Sequence, residues 1–351
     1  MINNFDEARL DDQSALGEFD QQLRYLAQAG ARIRVEAADV GLPEGLELKP
    51  RGVVVVGAEA RLIRAVLEPV CPVPLIAWSL PGLPGWAGPL DLVVVLASGP
   101  DGSRGQALLA TAAEASRRGC MIMLATPAES PLAQAVSSRA LLVPTRTADP
   151  TAAAVVVLSL LNRVGLGPVV NTDHAAEAAD MVAEESSPHR DLSSNPAKDF
   201  ACGLGDAEPL IWGGSVLAAR ASRRIAEAIR YYSGRHVLAA DAREIAQVMR
   251  HVKPKDPFAD PFTDGVRGTV LVLLDDEYVS ETGAAEEWML RELAESVGAR
   301  VCELSAGVGS EVDRYVTLLL RGLYGASYHA VALGAEPGPV SSGSDGFRGA
   351  L

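Results

Sequence analysis

Uninterrupted apolar runs mark the first half of the chain. Val53–Val56 and Leu92–Leu96 contain no polar residue, a pattern that predicts strands buried on both faces, as in parallel sheets. Further strands are predicted at Val73–Trp78, Met121–Thr126 and Ala140–Pro144, and helices at Arg61–Leu67, Gln106–Arg118 and Thr151–Arg163. Strands that alternate with helices of this length indicate βαβ units and a parallel sheet.

The second half of the chain repeats this alternation. Strands are predicted at Pro209–Gly214, His236–Ala240, Gly268–Asp276, Arg300–Leu304 and His329–Leu333, and helices at Val216–Tyr231, Ala285–Val297 and Glu311–Leu323. The pattern therefore favours two similar five-stranded halves over one long sheet.

The flanking segments complete the predicted domain organisation. Apolar positions at helical spacing predict a single leading helix over Ser14–Ala31. We expect an N-terminal helical segment (1–40), a first α/β domain (41–170), an acidic linker (171–194), a second α/β domain (195–335) and a disordered tail (336–351). The linker is interpreted as solvated, with a helical arm that reaches a partner subunit as the alternative.

Composition excludes several functional classes. The formal net charge of −14 and the absence of a basic patch argue against nucleic-acid binding. The longest apolar run, Ala152–Leu161, is too short to span a bilayer, and the N-terminus lacks a signal-peptide pattern. The four cysteines are far apart and form no C-x-x-C pair, which disfavours a metal or redox site. A soluble cytoplasmic protein is expected.

Three turns that lead from a strand into a helix are candidate anion sites, because helix N-termini offer free amides and a positive dipole end. The turns are Gly57-Ala58-Glu59-Ala60, the loop Ser98–Gly105, and Gly213-Gly214-Ser215. The loop is the strongest candidate, since its serines and glycines could cradle a phosphate while Arg104 adds positive charge. Asp101 opposes this, and an ordinary flexible turn is the alternative.

Other motifs are weak or absent. No P-loop, G-x-G-x-x-G after the first strand, or G-x-S-x-G elbow occurs. The histidines show no ligand spacing. The acidic turn Asp275–Glu277 could hold Mg²⁺ but is better explained as a solvated strand end, and Asp256–Asp264 is expected to be a rigid surface loop.

The element order resembles a known family. A leading helix, the NPAK segment at Asn195–Lys198 and the sequence PLIWGGSVLAARASRRIAEAI that follows resemble the dual-specificity phosphoglucose/phosphomannose isomerases over about residues 45–335. The resemblance implies two tandem sugar-isomerase (SIS) domains. Each would be a flavodoxin-like or Rossmann-like three-layer αβα domain with a parallel sheet.

The resemblance also implies a function. Family members are homodimers that interconvert hexose 6-phosphates as aldose and ketose, without metal or cofactor, through an enediolate formed by a carboxylate base. The family's phosphate loop corresponds to Ser98–Gly105. Together with the two other candidate turns, the predicted phosphosugar-binding residues are Gly57, Ala58, Ser98, Gly99, Gly102, Ser103, Arg104, Gly214 and Ser215.

The family's catalytic residues have few counterparts in this sequence. The family's Glu-Asn-Ala-Lys run aligns with Tyr231–Gly234, which places Tyr231 at the position of the base. A phenol is a poor general base at neutral pH. Glu227, one helical turn earlier, or Glu244 could replace the base, and His251 could assist ring opening.

Three functional interpretations follow. The first is a phosphosugar isomerase with a rearranged site. The second is a sugar-phosphate sensor or regulator without catalysis, which the missing base favours. The third is a dimeric interaction platform. The sequence therefore predicts a phosphosugar-binding SIS protein whose catalytic activity stays open.

Overall fold

The computed structural model describes residues 4–38, 40–43, 48–98, 102–136, 140–252, 268–277 and 280–338, without the side chains of residues 102–104. It divides into two compact units, one formed by residues 29–177 and one by residues 4–28 and 178–338. The predicted loop 256–264, the tail residues 339–351 and the candidate residue Gly99 lie outside the described ranges.

The strands and helices follow one another in regular alternation. The strands are β1 Gly52–Gly57, β2 Leu75–Ala77, β3 Asp91–Leu96, β4 Met121–Thr126, β5 Leu141–Pro144, β6 Glu208–Gly213, β7 Leu238–Ala239, β8 Thr269–Asp275 and β9 Arg300–Ser305. The helices are α1 Gln13–Glu18, α2 Asp20–Ala27, α3 Ala29–Ala37, α4 Ala60–Leu67, α5 Gly102–Arg117, α6 Pro131–Ala135, α7 Pro150–Arg163, α8 Thr172–Glu185, α9 Pro196–Leu204, α10 Val216–Ser233, α11 Ala242–Met249, α12 Glu281–Val297 and α13 Glu311–Ala332. Short 3₁₀ helices span Glu7–Leu10 and Leu192–Ser194.

The unit of residues 29–177 contains the predicted five-stranded parallel sheet. Its strand order is β2-β1-β3-β4-β5, the flavodoxin-like order. Val53–Val56 of β1 are buried, as are all residues of β3, which confirms strands covered on both faces. The carboxyl ends of the strands therefore meet at one edge of this sheet.

Helix α3 is attached to the loop between β5 and α7 by two buried carboxylates. Glu36 accepts hydrogen bonds from the backbone N–H groups of Arg146 and Thr147. Asp149 accepts a hydrogen bond from Arg32 Nε at 2.6 Å and caps α7. Because both carboxylates are satisfied, they hold the loop that follows β5 in a single conformation.

The unit of residues 4–28 and 178–338 contains a parallel sheet of order β7-β6-β8-β9 in its described part. Leu210, Trp212, Leu271 and Leu273 face a core formed with α11 and α12. The alternate side chains of these strands face the opposite layer, where α10 packs along α13. Together the two units confirm the predicted class of three-layer αβα domains with parallel sheets.

The predicted strand His329–Leu333 is wrong, because these residues lie at the end of α13. The apolar run belongs to a 22-residue helix that is buried on nearly all sides. A Cβ at Gly322 would lie 2.3 Å from Ile225 of α10, so the glycine lets the two helices approach closely. A short apolar run fits a buried helix and a buried strand equally well, and only packing separates them.

The predicted single leading helix is also wrong, since the segment forms α1, α2 and α3. Helix α2 packs on α13 in one unit, whereas α3 packs on α7 in the other. The chain breaks its helix because the two parts bury their apolar faces in different cores.

The segment expected to be a solvated linker contains α8, which buries Ala175, Ala176, Ala179 and Val182. The boundary between the two units falls within this helix. Among the described helices, none combines the length and apolar character needed to cross a membrane.

The NPAK segment has a structural role in this chain. Asn195 caps α9 by accepting hydrogen bonds from the N–H groups of Ala197 and Lys198. The Lys198 ammonium is buried and donates to Asp11 Oδ1 at 2.8 Å and to the carbonyl of Arg190 at 2.7 Å. The hydrogen bond from Lys198 lowers the pKa of Asp11. This ion pair fastens the N-terminal segment to α9.

We expect Lys198→Met to destabilise the protein by about 3 kcal/mol, because it leaves Asp11 and a buried carbonyl without their donor. Asp11→Asn should cost a similar amount, since it leaves a buried ammonium without a counter-charge. Urea unfolding checks both changes against Asp12→Asn, which removes a neighbouring negative charge but keeps a side-chain oxygen to cap α1. Equal stability of the Lys198→Met variant and the native chain would contradict the structural role.

His329 gives this unit a pH-dependent stability. Burial lowers its pKa from 6.5 to about 4, and its Nε2 lies 2.8 Å from the carbonyl of Gly205. Its Nδ1 has no hydrogen-bond partner among the described residues. The folded state therefore binds fewer protons than the unfolded state between these pKa values. The stabilisation is complete above pH 6.5 and is lost as the pH falls toward 4.

We expect His329 to contribute about 2 kcal/mol to the fall in unfolding free energy between about pH 7 and pH 5. His329→Gln keeps an N–H donor but does not titrate, so it should flatten the pH profile by that amount. Urea titrations at both pH values measure the change, with exposed His174→Gln as the control. A His329→Gln profile as steep as that of the native chain would rule out this origin.

Candidate functional site

The turn after β1 closes against the neighbouring strand. Gly57 has φ +105°, and a Cβ at this position would lie 2.0 Å from the carbonyl oxygen of Leu96. The N–H of Ala58 donates to the same oxygen at 3.4 Å. Only glycine fits here, and the predicted turn Gly57-Ala58 therefore lies directly beside the end of β3.

In the loop after β3, Ser98 is the predicted phosphate-binding residue whose side chain the structure describes. Ser98 is 3% exposed and follows β3 at the carboxyl edge of the sheet. Helix α5 begins four residues later, at Gly102. The side chains of Ser103 and Arg104 are not among those that the structure describes. Of the predicted phosphate loop, the structure thus places Ser98 and the start of α5.

Three more hydroxyl side chains lie at the same edge and were missed in the sequence. Thr126 ends β4, and its Oγ1 lies 3.0 Å from Oγ of Ser130, which caps α6. The N–H of Thr145, just after β5, donates to the carbonyl of Thr126 at 3.0 Å. Oγ1 of Thr145 is buried and has no hydrogen-bond partner in the described part of the chain. The available signal was a hydroxyl residue at each strand end, the same feature that marked Ser98.

Glu59 places a carboxylate at this edge. The residue is 1% exposed and precedes α4. A carboxylate disfavours a phosphate in direct contact with it, but it accepts hydrogen bonds from sugar hydroxyls. The edge therefore has an acidic end at β1 and a hydroxyl-lined end at β3, β4 and β5.

The corresponding turn in the second unit is occupied by its own side chains. Ser215 caps α10 by accepting a hydrogen bond from the N–H of Ala218 at 3.0 Å, and its hydroxyl donates to Asp276. Asp276 is 7% exposed and follows β8. Its carboxylate lies beside the N-terminus of α10, where an incoming anion would bind. Among the described residues, which include the acidic turn Asp275–Glu277, no three or more acidic, His or Cys side chains are arranged to hold a metal ion.

The structure does not bring the three catalytic candidates together. Glu227 lies on α10, is half-buried, and accepts a hydrogen bond from Arg224 at 3.2 Å. Glu244 and His251 are exposed, on α11 and just after it, in the layer on the other face of the sheet. His251 Nδ1 contacts the carbonyl of Gln247 at 2.8 Å.

Tyr231, at the position expected for the base, is poorly suited to that role. Burial raises the pKa of its phenol. The anionic form that could accept a proton is therefore even scarcer at neutral pH than in a free tyrosine. Of the acidic candidates, Glu227 is the one in a partly buried position next to a cation.

Comparison with known proteins connects the chain to a family. Residues 193–343 match the family model described as the bacterial phospho-glucose isomerase C-terminal SIS domain. No curated protein sequence matches the chain.

Solved structures share the fold along nearly the whole length. A glucose-6-phosphate isomerase like protein from Thermus thermophilus is 18% identical with a TM-score of 0.51, and 94% of this chain and 95% of that chain are covered. Tagatose-6-phosphate ketose/aldose isomerase from Escherichia coli is 13% identical with a TM-score of 0.61, over 92% and 94%. The C-terminal domain of glucosamine-fructose-6-phosphate aminotransferase from Francisella tularensis is 13% identical with a TM-score of 0.57, over 92% and 97%.

At these identities the structures establish the fold, and the family match covers the second half. The chain folds as two tandem SIS-type domains and resembles the phosphoglucose/phosphomannose isomerase family, and residues 193–343 match the model of its C-terminal SIS domain.

Proposed function

We propose that the protein binds a hexose 6-phosphate at the carboxyl edge of the sheet β2-β1-β3-β4-β5. The observation that carries the proposal is the row of buried hydroxyls of Ser98, Thr126 and Thr145 at the ends of three adjacent strands, with the half-buried hydroxyl of Ser130 3.0 Å from that of Thr126. Hydroxyls donate to phosphate oxygens and exchange hydrogen bonds with sugar hydroxyls. Ligands of parallel α/β sheets bind at this edge.

The charges at the edge orient the ligand. The phosphate binds toward β3, where Ser98 precedes the N-terminus of the 16-residue helix α5. The sugar hydroxyls extend toward Glu59, which accepts from them. Because Gly57 has no side chain and Ala58 has only a methyl group, the first turn leaves room for the sugar beside its backbone. The loop residues Gly99, Gly102, Ser103 and Arg104 remain part of this proposed phosphate site.

The turn Gly213-Gly214-Ser215, in the second unit, is the weaker phosphate site. Its hydroxyl already donates to Asp276, so a phosphate would have to displace a buried carboxylate. We therefore assign the principal binding site to the first unit.

Isomerisation is a second candidate function, which the family resemblance suggests and for which Glu227 is the candidate base. Its carboxylate is half-buried on α10 one turn before Tyr231 and is balanced by Arg224. In this reaction a carboxylate base moves a proton between C1 and C2 of the sugar phosphate through an enediolate. Glu227 lies about three helical turns after the start of α10, so it is a candidate for that base through the family resemblance and not through its distance from the proposed sugar site. Glu244 and His251, exposed in the opposite layer, are the less suitable candidates for base and ring-opening acid. A homodimeric sensor, regulator or interaction platform is the function that remains if no proton is exchanged.

Binding is tested by titrating fructose 6-phosphate into the native chain and into Ser98→Ala and Ser130→Ala variants, monitored by calorimetry or ligand NMR. Each lost hydroxyl should weaken binding about tenfold or more, because hydrogen bonds to a charged group contribute about 1.5–3 kcal/mol. Ser296→Ala removes a hydroxyl that bonds only within α12 and should leave affinity unchanged. Equal affinity in all four proteins would reject this site.

The chemistry is tested separately with fructose 6-phosphate and stoichiometric protein in D₂O. An enediolate intermediate exchanges solvent deuterium into C1 or C2, which NMR detects even when turnover is slow. Glu227→Gln should abolish the exchange while sugar binding persists, and Glu244→Gln should have no effect. Binding without exchange in the native chain would exclude isomerisation of this sugar phosphate and support the non-catalytic function.

A further inference from the structure

A tryptophan side chain lies at the end of strand β2, at the same edge of the sheet as the row of hydroxyls. Trp78 follows β2 directly, and its backbone N–H donates to the carbonyl of Val55 on β1 at 2.8 Å. In the parallel register Ala77 pairs with Val55, so the tryptophan is level with the residue before Gly57. Trp78 therefore lies at the carboxyl edge, beside the turn that follows β1.

The indole N–H of this tryptophan is a buried donor. Nε1 of Trp78 is buried and has no hydrogen-bond partner among the residues that the structure describes. An indole nitrogen can only donate, and a donor that loses water on burial without gaining an acceptor destabilises the fold. Such groups are uncommon in native proteins, so an acceptor for this one is expected from outside the described chain.

Packing keeps the indole at the edge of the sheet. The side chains of Ile76 and Trp78 face the same side and pack against the core to which α5 contributes Leu108 and Ala112. Trp78 as a whole is half-buried, so this core holds the ring without enclosing all of it. A rigid ring with two side-chain torsions loses little conformational freedom when a ligand binds beside it.

Strand spacing relates Trp78 to the proposed sugar site, the function on which this inference rests. The proposed phosphate lies at the end of β3 beside Ser98, and β1 lies between that strand and β2. Two strand spacings are about 10 Å, a distance comparable with the extended length of a hexose 6-phosphate. A sugar that has its phosphate beside Ser98 and passes Glu59 therefore has its C1–C2 end at Trp78.

We propose that Trp78 Nε1 donates a hydrogen bond to an oxygen at C1 or C2 of the bound sugar phosphate, which makes Trp78 a specificity-determining residue. In its open-chain form this end of the sugar has a hydroxyl group next to a carbonyl oxygen. An ionised Glu59 only accepts and Trp78 only donates, so the hydroxyl donates to the carboxylate and the carbonyl oxygen accepts from the indole. A phosphate ester too short to reach β2, such as glycerol 3-phosphate, lacks this contact.

The indole resonance of Trp78 tests the contact in the native chain. Proton–nitrogen correlation spectra show one Nε1 cross-peak for each of the four tryptophans, and Trp78→Phe assigns the peak that it removes. Saturation with fructose 6-phosphate should move this peak downfield in the proton dimension, because the N–H gains an acceptor. Glycerol 3-phosphate should leave it in place. An unmoved peak in protein saturated with fructose 6-phosphate would overturn the proposal.

Affinity provides an independent measurement, by calorimetry. Trp78→Phe keeps an aromatic ring but removes the donor, so it should weaken fructose 6-phosphate binding about fivefold and leave glycerol 3-phosphate binding unchanged. Trp86→Phe is the matched control and should change neither affinity. A Cβ at Gly52, the first residue of β1, would lie 3.4 Å from the Trp86 ring, which places that indole at the opposite end of the strand.

The two ligands and the native chain separate the role of Trp78 from the proposed function. Equal fructose 6-phosphate affinity in the native chain and in Trp78→Phe would reject the role of Trp78 and leave the hydroxyl site standing. An equal loss of affinity for both ligands would show a general disturbance of the edge and would also reject a specific contact. Absence of fructose 6-phosphate binding in the native chain would reject the proposed function, and the role of Trp78 with it.

Discussion

The burial of both faces of each parallel sheet is the constraint on which the rest of this structure depends. Strands such as β1 and β3 have no polar face, so helices must cover them on both sides, and each strand must return through a helix to the same end of the sheet. Because of these connections, the carboxyl ends of all strands in a sheet, and the N-termini of the helices that follow them, lie at the same edge. The proposed site exists because Ser98, Thr126 and Thr145 each follow such a strand.

The polar groups buried at these edges then distinguish the two units. In one unit the hydroxyls at the ends of β3, β4 and β5 include an unsatisfied one, Thr145 Oγ1, within the described residues. In the other, Asp276 accepts the Ser215 hydroxyl beside α10. The same architecture thus gives one edge lined by hydroxyls, where we propose that a phosphate ester binds, and one edge already occupied by a carboxylate.

Helix α13 explains why the described part of the second sheet has four strands and not the predicted five. The apolar run that could have formed a further strand is instead part of α13, which fills the space between α9 and α10. Gly322 allows this helix to approach Ile225 of α10 closely. Strand β9 consequently forms one edge of the sheet in the described part of the chain.

The sequence by itself determined the βαβ alternation, the parallel sheets and the resemblance to SIS isomerases, because continuous apolar strands and helix periodicity are local signals. It also placed Gly57 and Ser98 at strand ends. It could not separate helix from strand at His329–Leu333, nor divide α2 from α3, since both outcomes depend on which core buries the apolar face. Nor could it show that Lys198 forms an ion pair with Asp11, or that Ser215 donates a hydrogen bond to Asp276, because the two residues of each pair are distant in sequence. Only the tertiary structure decided these pairings, because a buried polar group must take whichever partner the packing brings within hydrogen-bond distance.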